Sequence, residues 1–540
     1  MSYMFYRCES LSDVKFDSFE TPELMNMNYM FGQCKELTSI DLSSFITPKL
    51  KSMYSAFISC YNLKKINVSK FDTRQVTSMV SLFERCGNLE EADLSSFNTP
   101  NVIDMSELFI DCTNLKSVKI NNFDTSQVTS LYRMFSGCKS LISVDVTNFD
   151  TSKVVKINNM FDSCESLTSL NVNFNLGNAK DISALFKNCY SLEKIDVSKF
   201  NTSQVTITSS MFSECHKLTS IDVSNFDMSK VSGASSMFYN CYSLTSIDIS
   251  KWKTDSLTSI GSMFYNCSSL TSIDITNLNT DKVILAEGLF YKCHSLKFID
   301  MSRFNATLLR NTNYMFKDCW SLTSIDFTNF KTTASEFSSM YETFENCYSL
   351  EAVNFDSFDM MGVTDMHNLF YNCSKLTSID LSHFASNKVT DMSHMFDSCT
   401  ELTFLNFEKL DTDSVTKFSY IFANCVNLRS LDVSNMKTNK AKDMSYMFYN
   451  CISLNELELS NFYTNLVTDM RYMFSSCKSI SYLNLTSFNT LNCKSFLNMF
   501  SETNEMNVTI NKQNNSQLIA EAPLNINFDF TDSENENIFY

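Results

Sequence analysis

"VTSLYRMFSGC", residues 128–138, closes on Cys138, and the chain repeats that ending nineteen times. The cysteines stand at 8, 34, 60, 86, 112, 138, 164, 189, 215, 241, 267, 293, 319, 347, 373, 399, 425, 451 and 477, a step of 26 residues broken only by one of 25 and one of 28. Phe stands three positions before each, from Phe5 to Phe474, and Leu three positions after each except at Ile480. A fixed period of this length, carried by apolar residues, marks coils that stack on one another and bury together what none can bury alone.

Each repeat has two halves with different periods. In "LTSIDLSSF", residues 37–45, Ile40 and Leu42 alternate with polar neighbours, which predicts a short strand with one buried face. In the opening stretch Val128, Leu131, Met134, Phe135 and Cys138 recur at steps of three, three, one and three, which predicts one apolar helical face. Three early repeats read "TPEL" at 21–24, "TPKL" at 47–50 and "TPNV" at 99–102. Thr there caps the helix with Pro at its first position, or the pair makes an ordinary turn.

The expected fold is therefore an α/β solenoid of about 19 repeats of strand plus helix, with one continuous parallel sheet. At a strand spacing of about 4.8 Å its spine runs roughly 90 Å. The solenoid is expected over residues 1–502, and 503–540 as a degenerate last coil and tail: Thr503 replaces the cysteine, "MNVTI" at 506–510 only approximates a strand, and the end frays. The two irregular steps fall after the strand, between Val172 and Phe174, and in the connector "KTTASEF", 331–337, where loops absorb length changes.

Composition narrows the function. A net charge of −17 repels phosphate backbones and anionic lipid heads, so neither nucleic acid nor a membrane surface is an expected partner. No apolar run approaches the roughly 20 residues of a membrane span, and no basic, apolar leader precedes the first repeat. Eight Gly and four Pro among 540 residues leave no linker between globular domains.

The twenty cysteines fit buried free thiols better than disulfides or a metal. One per coil on an apolar face acts as a small hydrophobe, parallel side chains suit a disulfide poorly, and a straight column does not converge on an ion. Cys493 lies off the column and is the expected exposed thiol. Of the five histidines, His216 and His294 share a column three repeats apart, and His367 and His394 fall in adjacent repeats. No phosphate loop, nucleophile elbow or paired-Cys zinc pattern occurs, so no catalytic residue, cofactor or metal ligand is assigned and the chain is not expected to be an enzyme.

The functional lead is Asp between the two inward aliphatics, in eleven of nineteen repeats and in six running: Asp196, Asp222, Asp248, Asp274, Asp300 and Asp326. Carboxylates about 4.8 Å apart repel by roughly 0.9 kcal/mol in bulk water and about 3.5 kcal/mol at an effective dielectric of 20. Hydroxyls two residues on, from Ser198 to Thr328, with Lys199, Lys251 and Arg303, relieve this locally; a cation or a basic partner along the ladder is the functional alternative.

The unit, as in "LTSIDLSHF" at 376–384 followed by "KVTDMSHMFDSC" at 388–399, resembles the BspA-like leucine-rich-repeat surface proteins over residues 1 to about 500. That resemblance implies a right-handed solenoid that binds protein or glycan on its strand face in adhesion, at the cell surface or secreted. It brings no catalytic residues. An intracellular interaction scaffold in the cytoplasm is the alternative, since reduced thiols suit the cytosol. Met1 occupies the Met column of Met27, Met53, Met79 and Met105, so the chain is expected to start at an internal Met, past an N-terminal cap and any signal peptide.

Overall fold

The computed structural model describes residues 1–17, 19–333, 335–355, 358–382, 384, 387–407 and 410–531; Ser18, Ala334 and the 532–540 tail, where fraying was expected, are among those outside the described residues. The chain forms two compact units, Met1–Ile273 and Asp274–Tyr540. Each is a β-solenoid of stacked 26-residue coils.

The alternating half of the repeat is a strand, as expected. Ser39–Asp41 pairs with Lys65–Asn67 in unit 1, and Phe298–Asp300 with Ser324–Asp326 in unit 2, parallel and in register, Ile on Ile. The strands are only two or three residues long over most of both units, so the expected continuous sheet is broken, among the described residues, into seven sheets of two or three strands.

The Met-Phe-Cys half is not helical, which corrects the strand-plus-helix repeat. In the coil ending at Cys34, the amides of Tyr29, Phe31 and Gln33 donate to Tyr54, Ala56 and Ile58 one coil on, at 3.0, 2.8 and 2.7 Å. The intervening amides of Met30, Gly32 and Cys34 close turns on Met27, Tyr29 and Phe31, three residues back, at 2.9, 3.1 and 3.1 Å. A helix would spend every amide inside its own segment. Here half of them tie neighbouring coils together.

Spacing explains the choice. Helices pack about 8–10 Å apart, whereas coils bonded through their backbones repeat at about 4.8 Å. The ring centroids of Phe31, Phe57, Phe83 and Phe109 follow one another at 5.4, 5.5 and 5.4 Å, with planes within 12° of parallel. Side-by-side helices leave no room for such a column. Successive three-residue turns place Met27, Met30, Phe31 and Cys34 inward just as a helical face would, and all four are fully buried. The turns need a left-handed residue five before and one before each cysteine, as at Tyr29 and Gln33, with φ of 56° and 61°.

The threonines of "TPEL", "TPKL" and "TPNV" do not cap helices. Thr47 is fully buried, its hydroxyl donating to the Asp72 carbonyl at 3.3 Å and accepting the Asp72 amide at 2.9 Å, one coil on. Thr202 does the same with Asp227, at 3.1 and 2.7 Å, and Thr464 with Asn489, at 2.9 and 2.8 Å. A third row of single parallel bridges, Asn26 to Ser52 to Ser78 in unit 1 and Asn311 to Ser339 to Asp365 in unit 2, holds the coils at another side.

"MNVTI", read as an approximate strand, is a full one. Met506–Ile510 pairs with Tyr482–Leu485 on one side and Ile526–Phe530 on the other, all parallel, with a short helix Ser516–Glu521 between the last two strands.

Replacing Thr202 by Val strands the amide and carbonyl of Asp227 without a hydroxyl, so it lowers stability by about 1–3 kcal/mol, while Thr202→Ser costs less. Urea unfolding of the full chain and hydrogen exchange at the Asp227 amide check this; an unchanged midpoint and exchange rate would show the hydroxyl to be dispensable.

Candidate functional site

Outward residues of the strands form the candidate site. The six predicted aspartates divide between the units, Asp196, Asp222 and Asp248 in the first and Asp274, Asp300 and Asp326 in the second. Asp300 and Asp326 face each other in register. Each carboxylate closes a turn through a single oxygen. Asp222 Oδ1 accepts the Ser224 amide at 3.0 Å and hydroxyl at 2.6 Å, Asp248 Oδ1 those of Ser250 at 3.0 and 2.7 Å, and Asp274 Oδ1 those of Thr276 at 2.9 and 2.7 Å. Asp196 and Asp300 take the amides of Ser198 and Ser302, at 2.9 and 2.8 Å.

The hydroxyl relief predicted for the ladder is thus joined by a backbone amide that sequence reasoning missed. Among the described residues, Lys199, Lys251 and Arg303 form no ion pair with Asp196, Asp222, Asp248, Asp300 or Asp326; Lys199 acts on Asp196, and Lys251 on Asp222 and Asp248, only through space. The hydroxyl and then the amide two residues on hold Asp222, Asp248 and Asp326 below the usual carboxylate range.

Neighbouring coils of unit 1 carry alternating charge on the same side. Lys116 reaches Glu90 at 2.9 Å and Lys119 reaches Asp93 at 2.7 Å. The Lys119 ammonium, followed by the Ser95 hydroxyl and amide, pushes Asp93 down to about 2. In unit 2 the outward row contains rings: Phe298, Phe404 and Tyr482 are 49%, 58% and 53% exposed, at a strand position that holds Ser324, Ser378 and Ser430 in other coils.

The turn side carries four of the five histidines, each with its own partners, and His383 lies outside the described residues. His216 Nε2 lies 2.6 Å from Glu214, its ring between those of Tyr190 and Tyr242 at 4.7 and 4.3 Å. His294 stacks on Trp320 at 3.7 Å. His367 Nδ1 lies 2.7 Å from Asp365, and that bond pushes its pKa up. His394 Nδ1 lies 2.8 Å from the buried Asp397. Beside them Lys317 is wedged between Glu342 and Glu345, the latter at 3.0 Å; burial opposes its charge, but the two carboxylates outweigh that and push its pKa up. Among the described residues no three His, Cys, Asp or Glu side chains converge as a metal ion requires.

All twenty cysteines are free and nineteen are buried. Column thiols donate to the carbonyl of the Phe in the preceding coil, as Cys60 to Phe31 at 3.1 Å and Cys241 to Phe212 at 3.2 Å, and burial pushes Cys241 up to about 12. The exposed thiol is Cys8. Cys493, expected to be exposed, is 7% accessible and donates to the Ser495 carbonyl at 3.3 Å.

A profile of the family described as "Mycoplasma protein of unknown function, DUF285" matches residues 1–90, 51–171, 77–195, 168–272, 243–351, 338–456 and 416–538. The chain belongs to that family. The DUF285 assignment indicates no enzyme class. A comparison with curated proteins finds no match. Among solved structures, the chain is similar to a leucine-rich repeat protein from Bacteroides ovatus ATCC 8483, at 18% identity over 73% of this chain and 88% of that one, TM-score 0.37. A leucine-rich repeat protein from Eubacterium ventriosum ATCC 27560 matches at 18% identity over 73% and 84%, TM-score 0.32. An internalin, inlF, from Listeria monocytogenes str. 4b F2365 matches at 16% identity over 65% and 82%, TM-score 0.22.

Two outcomes follow from these groups. A charged maleimide applied to the native chain modifies Cys8, and the other nineteen thiols only after unfolding; peptide mapping that finds native labelling at Cys241 or Cys493 would contradict the burial. Because Asp93 is lowered from 3.8 to about 2, its ion pair stabilises fully above pH 3.8 and is lost as pH falls toward 2. Asp93→Asn, a residue its column tolerates at Asn67, therefore flattens the urea midpoint against pH across that window.

Proposed function

We propose that this chain is a non-catalytic binding scaffold of the BspA-like leucine-rich-repeat kind its sequence resembles, displayed at the cell surface or secreted. It takes a protein or glycan ligand along the strand side. The observation that carries this reading is the contrast between the two faces of the same strands. The first inward position of the strand holds Ile, Leu or Val in every coil but that of Ala92, while outward pairs run Thr38-Ser39, Lys64-Lys65, Glu90-Glu91, Lys297-Phe298, Thr403-Phe404 and Ser481-Tyr482. On that outward row Phe298, Phe404 and Tyr482 are 49%, 58% and 53% exposed, and aromatic side chains are the kind that protein interfaces favour, which supports this reading.

The Asp ladder fits a basic partner better than a cation. Each of its aspartates engages one oxygen in its own turn, and carboxylates strung about 4.8 Å apart present far fewer than the roughly six to eight oxygens that calcium gathers. Millimolar calcium is therefore expected to leave the melting temperature unchanged; a rise would restore the ion-site reading.

A second reading, an intracellular interaction scaffold, is favoured by the twenty unpaired cysteines, which suit a reducing compartment. Protease treatment of intact cells separates the two. Loss of the protein from unbroken cells is the expected result, and full protection until lysis would favour the intracellular scaffold.

A further inference from the structure

Two places on the strand side of unit 2 share one construction. At the first, Phe298 stands beside Ser324 of the paired strand, with Asp300 and Asp326 two residues further along, in register. At the second, Phe404 stands beside Ser378, with Asn406 and Asp380 in register behind them. In both, side chains two apart on a strand share a face, so ring and acid project to the same side, with the buried Ile299 or Leu405 between them pointing inward. The small Ser next to each ring leaves the ring's face uncovered. Among the described residues neither ring stacks on another: the aromatic columns of unit 2 run through the inward phenylalanines and the turn side.

The acids behind the first ring are fixed yet half used. Asp300 Oδ1 accepts the Ser302 amide and Asp326 Oδ1 the amide and hydroxyl of Thr328, while among the described residues Oδ2 of each accepts no hydrogen bond. Lys297 and Arg303 flank the first place in sequence, and among the described residues neither forms an ion pair with these carboxylates. A ring with an open face, a short floor and a charged acceptor two residues away is the setting a guanidinium fits, its plane on the ring and its N–H groups on the carboxylate.

Resting on the binding-scaffold reading above, we propose that the strand side of unit 2 binds an extended, arginine-bearing polypeptide, one arginine seated on Phe298 against Asp300 and Asp326 and a second on Phe404 against Asp380. The rings lie four coils apart, about 19 Å at strand spacing. An extended chain covers that in about six residues at roughly 3.3 Å each, an even number that puts both arginines on one side of it.

The probe is a fluorescent peptide of threonines with two arginines about six residues apart, titrated into the full chain and read by anisotropy, beside peptides with glutamates in place of the arginines and with the arginines about three residues apart. Phe298→Ser with Phe404→Ser installs what other coils carry at this position. Asp300→Asn with Asp326→Asn keeps the turn, as Asn67 does by accepting the Ser69 amide. Circular dichroism and melting of both variants are expected to match the parent. Saturable binding of the wide-spaced arginine peptide, weakened about tenfold by either double variant, supports the proposal. No binding, equal binding of the glutamate or narrow-spaced peptide, or binding indifferent to Phe298→Ser with Phe404→Ser overturns it. Photo-crosslinkers at Ser117 and Ser324, used on intact cells, tell the two failures apart. Crosslinked protein at either position without arginine-peptide binding sinks this inference alone, and none at either position sinks the scaffold reading with it.

Discussion

The coil-to-coil backbone bond is the constraint on which the rest depends. Once the amides of alternate residues on the turn side point along the stack, the coils repeat at strand distance on that side too, and each must be a single chain thick. A helix, about 10 Å across with its side chains, is excluded by that spacing. What fits is a flat ring or a short side chain. Phe therefore stacks on Phe, as Phe83 on Phe109 with planes 11° apart, and Cys rather than a larger residue follows three positions later. The cysteine supplies apolar volume and one weak donor, which it places on the carbonyl of the Phe in the preceding coil. Each coil thus completes the hydrogen bonding of its neighbour, and none is complete by itself.

A coil this thin turns often, and every turn leaves an amide with nowhere regular to go. Short acids answer the need at three places per coil: Asp145 takes the Thr147 amide at 3.1 Å after the strand, Asp150 takes that of Ser152 at 2.9 Å before the connector, and Asp181 takes that of Ser183 at 2.8 Å before the turn side. Much of the net charge of −17 is therefore a consequence of architecture before it is a signal about partners. Asn does the same at Asn67, Asn201 and Asn311 without a charge, so the turn needs one side-chain oxygen and does not itself require the charge of Asp.

The period, the inward residues and the strand were legible in the sequence because alternation with a buried Ile or Leu has one structural solution. The helix was misread because apolar residues at steps of three, three, one and three satisfy both a helical face and a run of three-residue turns. A second signal was present in the column just before the cysteine, which carries Asn188, Asn240, Asn266, Asn346, Asn372, Asn424 and Asn450 with Asp111 and Gly137, the residue types that accept a left-handed backbone. A helix interior would have no reason to collect them. Thr47 and Thr99 misled in the same way, since Thr before Pro has a local meaning as a cap and a non-local one as the partner of the next coil, and only the stack decides between them. Of the candidate site, the position of the six aspartates was legible, while the amide that each captures was not, because a backbone group leaves no mark in the sequence, and the rings beside Asp300 and near Asp380 were not, because they do not belong to the consensus of the repeat.

This division follows from how the fold is stabilised. Cohesion comes from inward side chains and from backbone bonds that do not depend on which side chain is present, so an outward residue changes at little cost to the coil that carries it. Architecture is then repeated nineteen times in the sequence and is read with ease, whereas whatever is particular to one coil is written once, in the departures from the repeat. Departures that relieve a structural need, such as Lys119 on Asp93, say nothing of a partner. Phe404 relieves none. It stands where Ser serves in the strand beside it, exposes 58% of its surface to water, and among the described residues joins no ring column, so it is a departure from the repeat that the packing of the stack does not require.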